Sequence, residues 1–370
     1  MAMQINGFCD EQFLPLKDAF RANFDQGLEL GASLAVTHRG NTVVDLWAGY
    51  ADLERTKPWQ EDTIVPIAST TKIANIVSLL TLVDRGLIEL DGPVAYYWPE
   101  FAQGGKAAVT VRDALSHQAG VPGFEQPVTS DFLQDRESVT DRIAAEPHWF
   151  EGRKTVCYHM FNYGYLLGEL IRRVDGRMPA RFFRDEIASK LDLDFQIGLS
   201  SKSDLPRVAE VIMPKPRLDL PDGILGKLLK SVVMGDVTTW EARRAEFNGI
   251  ANGRSIATLM AMLAMGGEFD GRRYLSKSII GEASREQAYG QCPYLGWVKF
   301  GLGFGLHSKE FPAPSETCIG WGGTGGSWAL ADPRTGVSLG YAPNNWDIDR
   351  LADPRLHVIG GAFARLLAKF

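Results

Sequence analysis

Strand-like patterns stand at both ends of this chain and helical patterns fill its centre, which restricts the fold more than any other feature. Residues 32–52 contain two runs of alternating apolar residues joined around Arg39-Gly40-Asn41, which is typical of a β-hairpin. Towards the C-terminus strand-like runs return in three segments: KFGLGFGLH, GSWALADP and GVSLGYAPN. The simplest architecture pairs both sets of strands in one antiparallel sheet, with a mostly helical segment inserted between them.

Helical periodicity predicts most of the remaining elements. The first ~25 residues are predicted to form one amphipathic helix, whose apolar side chains share one face: Phe13, Leu16, Phe20 and Phe24. A second, apolar helix is predicted to start at Ser69 and to end before Gly86, because glycine commonly caps helix C-termini. Further helices are predicted at 110–117, 137–146, 162–174, 179–191, 254–265 and 355–370.

These patterns predict an α/β fold of the α+β type, in which helices flank an antiparallel sheet. We expect residues 1–75 together with residues 250–370 to form an α/β domain around the sheet. Residues 76–249 are expected to form a second, mostly helical domain.

Composition excludes several classes of partner. The 370 residues carry a formal net charge of −6, which argues against nucleic acid or an acidic membrane surface as the main partner. No stretch approaches the ~18 consecutive apolar residues of a membrane span. The first residues show no basic region followed by an apolar one, so the sequence predicts a cytoplasmic protein without a secretory signal.

Cysteine and histidine spacing argues against a metal site. The four cysteines form no C-x-x-C pair and are expected to be reduced, mostly buried thiols: Cys9, Cys157, Cys292 and Cys318. The six histidines form no H-E-x-x-H motif or comparable cluster. We therefore expect chemistry that needs neither metal nor cofactor.

The segment PIASTTKIAN, residues 66–75, contains the only Ser-x-x-Lys pair of the chain, Ser69 and Lys72. Residues three apart lie on one helix face, so the lysine could accept the serine proton if burial keeps it neutral. A helix N-terminus also offers free backbone N–H groups to a developing negative charge. Because such a motif arises easily by chance, its position before an apolar helix is what favours a nucleophile with its base.

A competing serine must be considered. GVSLG, residues 336–340, matches the G-x-S-x-G pattern of a nucleophile elbow and is centred on Ser338. An elbow requires a strand, a sharp turn at the serine and then a helix. Here Ser338 lies inside a strand-like run that is followed by YAPNN, so we interpret the match as a buried strand residue.

Two further segments extend the pattern around Ser69. VCYHMFNYGYLLGELIRRVDG, residues 156–176, places Tyr158 just before a long amphipathic helix. GWGGTGGSWALADP, residues 320–333, is a glycine-dense turn leading into a strand, and glycines allow the backbone to approach a ligand closely. Each segment alone is also compatible with a helix start or a tight hairpin.

Together and in this order, the three segments resemble the serine β-lactamase-like superfamily, most closely its family VIII carboxylesterase and class C β-lactamase branch. The resemblance extends through nearly the whole chain, including TVRDALSHQAGVPGF, GELIRRVDGRMPARFFRDEIASKLDLDFQIGL, NGRSIATLMAMLAMGG and LADPRTGVSLGY. It implies a β-lactamase/transpeptidase-like fold with the active site between the two predicted domains.

The resemblance also implies roles for the matching residues. Ser69 corresponds to the acylated nucleophile, Lys72 to its base, and Tyr158 to a tyrosine that shares the proton transfer, its pKa lowered by the nearby lysine. Trp321-Gly322-Gly323 stands where β-lactamases carry Lys-Thr-Gly. The backbone N–H groups of Ser69 and Thr324 would then form an oxyanion hole.

The departures from the β-lactamase pattern favour an esterase. The Tyr-x-Asn motif is here Tyr158-His159-Met160, and Asn162 lies nearby at a different spacing. Trp321 removes the cation that would bind a β-lactam carboxylate, and Trp-Gly-Gly is common in family VIII esterases. The implied function is a carboxylesterase that hydrolyses small-molecule esters with short to medium acyl chains.

Three alternatives remain open at this stage. A class C-type β-lactamase or D-alanyl-D-alanine peptidase would need a cationic third motif and a signal peptide, and this sequence shows neither. An acyltransferase would use the same site with an alcohol or amine in place of water. A binding protein without activity is disfavoured because Ser69, Lys72 and Tyr158 are all present.

Overall fold

The structure is a computed structural model that describes residues 3–213, 221–233, 239–245, 248–346 and 353–370. Its strands are β1 (Ile5–Cys9), β2 (Gly31–His38), β3 (Asn41–Gly49), β4 (Val65–Pro66), β5 (Val128–Thr129), β6 (Phe195–Ile197), β7 (Val232–Val233), β8 (Gly249–Ala251), β9 (Glu268–Phe269), β10 (Arg272–Arg273), β11 (Ala288–Cys292), β12 (Gly296–Phe300), β13 (Gly305–Leu306), β14 (Ile319–Gly322), β15 (Trp328–Asp332) and β16 (Val337–Pro343).

Nine of these strands form one antiparallel sheet in the order β1-β3-β2-β16-β15-β14-β13-β12-β11. N-terminal and C-terminal strands meet where β2 pairs with β16, in a register that places Ala35 opposite Gly340. The predicted sheet built from both ends of the chain is therefore confirmed. Strands β4, β8 and β6 form a separate three-stranded sheet, and β9-β10 and β5-β7 are two-stranded.

The predicted hairpin is also confirmed, with β2 and β3 joined by Arg39 and Gly40. Both linking residues have positive φ, 50° and 82° respectively. This is the backbone conformation of a type I′ turn, whose twist matches that of the flanking strands.

The prediction of one helix over the N-terminal residues was only partly correct, because β1 precedes the helix and pairs with β3. Gly7 explains why a strand forms here. Its φ is +90°, and a Cβ at this position would lie 1.9 Å from the carbonyl oxygen of Asp45. Only glycine allows the two backbones to approach so closely, a tertiary constraint that helical periodicity does not show.

The helices are α1 (Leu14–Asp25), α2 (Lys72–Asp84), α3 (Val94–Tyr97), α4 (Val111–Leu115), α5 (Arg136–Ala145), α6 (Tyr163–Asp175), α7 (Pro179–Glu186), α8 (Gly223–Lys230), α9 (Trp240–Arg244), α10 (Gly253–Ala264), α11 (Lys277–Ser284) and α12 (Pro354–Leu367). All the predicted helices are present within a few residues of their expected bounds, except that α7 ends at Glu186 and a short 3₁₀ turn follows. Gly86 has a φ of +70° just beyond α2, in keeping with a helix C-terminal residue.

The large sheet separates two apolar clusters. Alternate residues of β16 such as Leu339 and Tyr341 face α1 and α12 on one side. On the other side α10 packs so closely that a Cβ at Gly340 would lie 2.2 Å from the carbonyl oxygen of Gly253. The larger cluster on this side extends through the buried helix α2 into the helices of the central segment. This packing places the N-terminus of α2 beside the sheet.

The division into an α/β domain (1–75 and 250–370) and a helical domain (76–249) stays a prediction. The three-stranded sheet joins parts of both, since β8 pairs with β4 on one side and β6 on the other. Within the described ranges, no helix has both the length and the apolar character needed to cross a membrane.

Candidate active site

Ser69 lies in a strained turn between β4 and α2. The turn is a 3₁₀ helix, Ala68–Thr71, so the α-helix begins at Lys72 and not at Ser69 as predicted. Ala68, directly before the serine, has a φ of +45°, which costs energy for a residue with a Cβ. Such strain concentrates at functional sites, and Ser69 itself is only partly buried.

Lys72 reaches back from the first residue of α2 to the serine. Its Nζ lies 3.0 Å from Ser69 Oγ and 3.0 Å from the carbonyl oxygen of Met160. The side chain is buried, and this burial lowers the pKa of Lys72 to about 7. At neutral pH a large fraction of this amine is therefore unprotonated and able to accept a proton.

Tyr158 completes the group that the sequence predicted. Its hydroxyl accepts a hydrogen bond of 2.9 Å from Trp321 Nε1. Burial raises the pKa of Tyr158, and the neighbouring Ser69 and Trp321 offset the rise only in part. The expectation that the lysine lowers this pKa was wrong, because burial of the phenol dominates, although Lys72 Nζ lies over the ring, 4.8 Å from its centroid.

Trp321 is held by aromatic neighbours at the end of β14. Its ring lies 5.1 Å from that of Phe300 and stacks on Phe311 at 6.1 Å. Its indole N–H donates to the Tyr158 hydroxyl, so the tryptophan contacts the tyrosine directly.

The turn after Trp321, residues 323–327 (the glycine turn), lies against the 3₁₀ turn Ala68–Thr71 that carries Ser69 (the serine turn). A Cβ at Gly323 would be 2.3 Å from the carbonyl oxygen of Ile67 and 3.2 Å from the backbone nitrogen of Ser69. Glycine is therefore required at this position for the two turns to touch. Gly322 ends β14, and Thr324 follows Gly323 in the turn, so the backbone of the predicted oxyanion segment lies beside the nucleophile.

The remaining residues of the tyrosine motif point into the protein. Asn162, considered as a substitute for the missing asparagine, is buried and donates to the carbonyl oxygen of Val121 at 2.6 Å. His159 is also buried, and its Nδ1 lies 2.8 Å from the carbonyl oxygen of Cys157. Met160 takes part only through its carbonyl oxygen, which accepts from Lys72.

Two residues that sequence reasoning did not assign to the site hold Tyr158 in place. The ring of His117 lies 5.0 Å from that of Tyr158, and its Nδ1 accepts the backbone N–H of His159 at 3.2 Å. The backbone N–H of Tyr158 points at Cys292 Sγ, 3.3 Å away. A φ of +61° at His117 is unusual for this residue type, but nothing in the sequence indicates it.

Ser338 cannot compete as the nucleophile. It is completely buried in β16, where its Oγ lies 2.7 Å from Thr37 Oγ1 and donates to the carbonyl oxygen of Ala257 at 2.7 Å. The interpretation of Ser338 as a buried strand residue is confirmed.

Comparison with known proteins identifies the family of this chain. Residues 20–360 match the family described as Beta-lactamase. The chain is 32% identical over 367 residues to the esterase/beta-lactamase LipL of Mycobacterium tuberculosis, an alignment that covers 92% of this chain and 83% of LipL.

Solved structures show the same fold. A penicillin-binding protein homologue from Caulobacter crescentus superposes with a TM-score of 0.90 at 36% identity, over 98% of this chain and 100% of the other. A family VIII carboxylesterase superposes with a TM-score of 0.88 at 34% identity, with the same coverage of both chains. A class C β-lactamase from Rhodobacter sphaeroides, at 16% identity and a TM-score of 0.67, shares the fold. This chain therefore belongs to the β-lactamase family and is a serine hydrolase of the esterase and β-lactamase-like type.

Proposed function

We propose that this protein is a carboxylesterase that hydrolyses short- to medium-chain acyl esters through an acyl-enzyme on Ser69. The observation that carries the proposal is a buried Lys72, its pKa lowered to about 7, with its Nζ 3.0 Å from Ser69 Oγ. A neutral amine at this distance can take the serine proton during attack on a carbonyl carbon.

The hydrogen bonds around Ser69 run in one direction. An indole N–H can only donate and a backbone carbonyl can only accept, so Trp321 and Met160 fix the two ends of the chain of bonds. Tyr158 accepts from Trp321 and keeps its proton to donate to Ser69. The serine hydroxyl is then free to donate to the lone pair of neutral Lys72, whose own N–H goes to Met160.

This direction assigns the proton transfers. Ser69 Oγ bonds to the ester carbon while its proton moves to Lys72, and the carbonyl oxygen becomes an oxyanion. We propose that the backbone N–H groups of Ser69 and Thr324 bind this oxyanion. When the ester C–O bond breaks, the leaving alcohol takes a proton from Tyr158, which regains one from Lys72.

Release of the acid repeats these steps with water. Water gives a proton to Lys72 and its oxygen adds to the acyl carbon. The bond to Ser69 then breaks, and the serine oxygen recovers the proton. The sum is ester plus water to acid plus alcohol, with the enzyme unchanged.

The surroundings of Trp321 support ester rather than β-lactam substrates. A β-lactam carries a carboxylate, and an unpaired charge costs several kcal/mol in a partly desolvated pocket. The one donor of Trp321 is already bonded to Tyr158, so this side chain offers only its apolar face. A neutral ester loses nothing in such a pocket. The esterase EstB of Burkholderia gladioli and a family VIII carboxylesterase are similar proteins whose names fit an ester substrate, whereas the name of LipL includes both activities.

Steady-state kinetics on both substrate classes tests the proposal. We expect kcat/KM for nitrophenyl esters with short to medium acyl chains to exceed that for a chromogenic cephalosporin by at least about a thousandfold, roughly 4 kcal/mol in transition-state binding. Similar values for the two classes would support a β-lactamase instead. Adding a competing alcohol and analysing the products separates hydrolysis from acyl transfer.

A further inference from the structure

The turn that follows Trp321 is attached to the serine turn by a pair of buried hydroxyl groups. Thr70 Oγ1 and Ser327 Oγ lie 2.9 Å apart, and Ser327 Oγ lies 2.7 Å from the carbonyl oxygen of Ile67. Both side chains are almost inaccessible to solvent. Thr70 is the neighbour of Ser69, and Ser327 ends the glycine turn, so these bonds join the two backbones that meet at the site.

The glycine turn is also fixed internally and from behind. Gly323 N–H donates to the carbonyl oxygen of Ser327 at 2.8 Å, and Gly326 N–H donates to that of Gly323 at 3.0 Å. On the far side, the buried Arg355 donates from Nη2 to the carbonyl oxygen of Gly325 at 2.7 Å. The hydroxyl pair is therefore the side-chain link on the side of the turn that faces the nucleophile.

The hydrogen bond from Gly326 N–H to the Gly323 carbonyl oxygen also affects the peptide group that carries the Thr324 N–H. The carbonyl oxygen of this peptide belongs to Gly323 and accepts from Gly326. An accepted bond at the oxygen polarises the peptide and strengthens its N–H as a donor. The position of that N–H relative to Ser69 depends on how the turn is tied to residues 67–70.

We infer that Ser327 and Thr70 are positioning residues for the oxyanion hole, acting through the backbone of the glycine turn and not by touching substrate. The inference rests on the proposed function, because it presupposes that Ser69 and Thr324 bind the oxyanion. Preorganised donors stabilise the transition state only when they stand where the charge develops. Loosening the link should therefore weaken transition-state binding more than substrate binding.

The large sheet contains a second pair of buried hydroxyl groups that serves as a matched control. Thr37 Oγ1 and Ser338 Oγ lie 2.7 Å apart, and Ser338 Oγ donates to the carbonyl oxygen of Ala257 at 2.7 Å. This pair is equally buried and links β2, β16 and α10, away from the glycine turn. Removing the hydroxyl groups of this pair breaks the same kinds of hydrogen bond, but none of them reaches the turn that carries Ser69.

The experiment compares Ser327→Ala with Ser338→Ala, and Thr70→Val with Thr37→Val. Kinetics with a short-chain nitrophenyl ester are combined with inhibition by a trifluoromethyl ketone, whose serine adduct carries an oxyanion. We expect Ser327→Ala and Thr70→Val to lower kcat about 10- to 100-fold with KM changed less than about threefold, less than the loss of an oxyanion donor itself. The ketone should bind these variants more weakly by the same factor as kcat/KM falls.

The control variants should keep kcat and ketone affinity while losing a similar amount of Tm. Thr70→Ser, which retains the hydroxyl, should restore activity. If Ser327→Ala does not fold, Thr70→Val carries the test, because Ser327 then keeps its bond to Ile67. Ketone affinity that stays within twofold in Ser327→Ala and Thr70→Val would overturn the inference.

Ser69→Ala separates this inference from the proposed function. If that variant retains esterase activity, the proposed function itself is wrong. If it is inactive while Ser327→Ala behaves like Ser338→Ala, only the positioning role is wrong.

Discussion

Among the lysines that the structure describes, two are buried, and they differ in what surrounds the amine. Lys106 Nζ donates to three backbone carbonyl oxygens, those of Gln103, Ala144 and Glu146. Lys72 Nζ has one carbonyl partner, Met160, and one hydroxyl partner, Ser69. Burial lowers the pKa of both, to about 8 for Lys106 and about 7 for Lys72.

The difference shows that burial alone does not make a lysine a base. Three acceptors occupy all three N–H groups of an ammonium ion, so Lys106 is stabilised in its charged form and connects three backbone segments. Lys72 has no third acceptor among the described residues, so a neutral amine can keep one N–H on Met160 and turn its lone pair to Ser69. We propose that the number of fixed acceptors separates Lys106, a structural lysine, from Lys72, the proposed base.

The strongest test of this comparison replaces each lysine with methionine. Lys72→Met should lower kcat about 10⁴-fold, because the general base is lost, with the free energy of unfolding changed by about 1 kcal/mol or less. Lys106→Met should reduce the free energy of unfolding by about 2–4 kcal/mol, because three carbonyl groups lose a buried donor, with kcat of the folded enzyme unchanged. Ester kinetics and urea denaturation measure both quantities. Loss of activity in both variants without a difference in stability would contradict the comparison.

A smaller loss of activity is expected when Tyr158 is changed instead of Lys72. Tyr158→Phe removes the proton donor to Ser69 and should lower kcat about 10²- to 10³-fold. In the double variant with Lys72→Met the losses should not add, because the two residues act as one unit. Tyr163→Phe is the matched control, since the Tyr163 hydroxyl donates to the carbonyl oxygen of Leu115 at 2.8 Å and not to Ser69. An active Tyr158→Phe beside an inactive Tyr163→Phe would reassign the tyrosine.

The pH dependence gives the smallest effect. Only neutral Lys72 can accept the serine proton, so kcat/KM for a neutral ester should rise with pH through about 7. Well below that value it should fall about tenfold per pH unit, hence about fiftyfold from pH 7 to pH 5. A profile that stays flat between pH 5 and 8 would show that Lys72 is not the base.

The same pKa predicts a change in stability. Between about pH 7 and the ordinary lysine pKa, unfolded Lys72 binds a proton that folded Lys72 has released. The unfolded state therefore holds more protons, and the free energy of unfolding should rise with pH across this window. Urea denaturation at several pH values should show this rise in the native protein and a smaller one in Lys72→Met.

How well the sequence predicted the site depended on how local each signal was. Ser69 and Lys72 are three residues apart, so their spacing alone pointed to the pair. Lys106 gave no signal, because its partners Ala144 and Glu146 are about forty residues away and are recognised only as backbone carbonyls. The bond between Trp321 and Tyr158 joins residues 163 positions apart, and nothing in the sequence indicated it.

In the fold, too, the elements defined by local signals were predicted and those defined by long-range contacts were not. The hairpin of β2 and β3 and the capped helix α2 were predicted, since local alternation, turn residues and periodicity define them. Strand β1 was missed because it exists only through pairing with β3 and the close approach at Gly7. The pKa of Tyr158 was predicted in the wrong direction because desolvation depends on side chains that other elements supply, among them His117 and Trp321.

The most direct test of the account is to identify the residue that forms the covalent intermediate. The protein is treated with a fluorophosphonate, and the adduct is located by intact mass and peptide mapping. The account predicts a single adduct on Ser69, absent from Ser69→Ala and retained in Ser338→Ala. Labelling that persists in Ser69→Ala would contradict it.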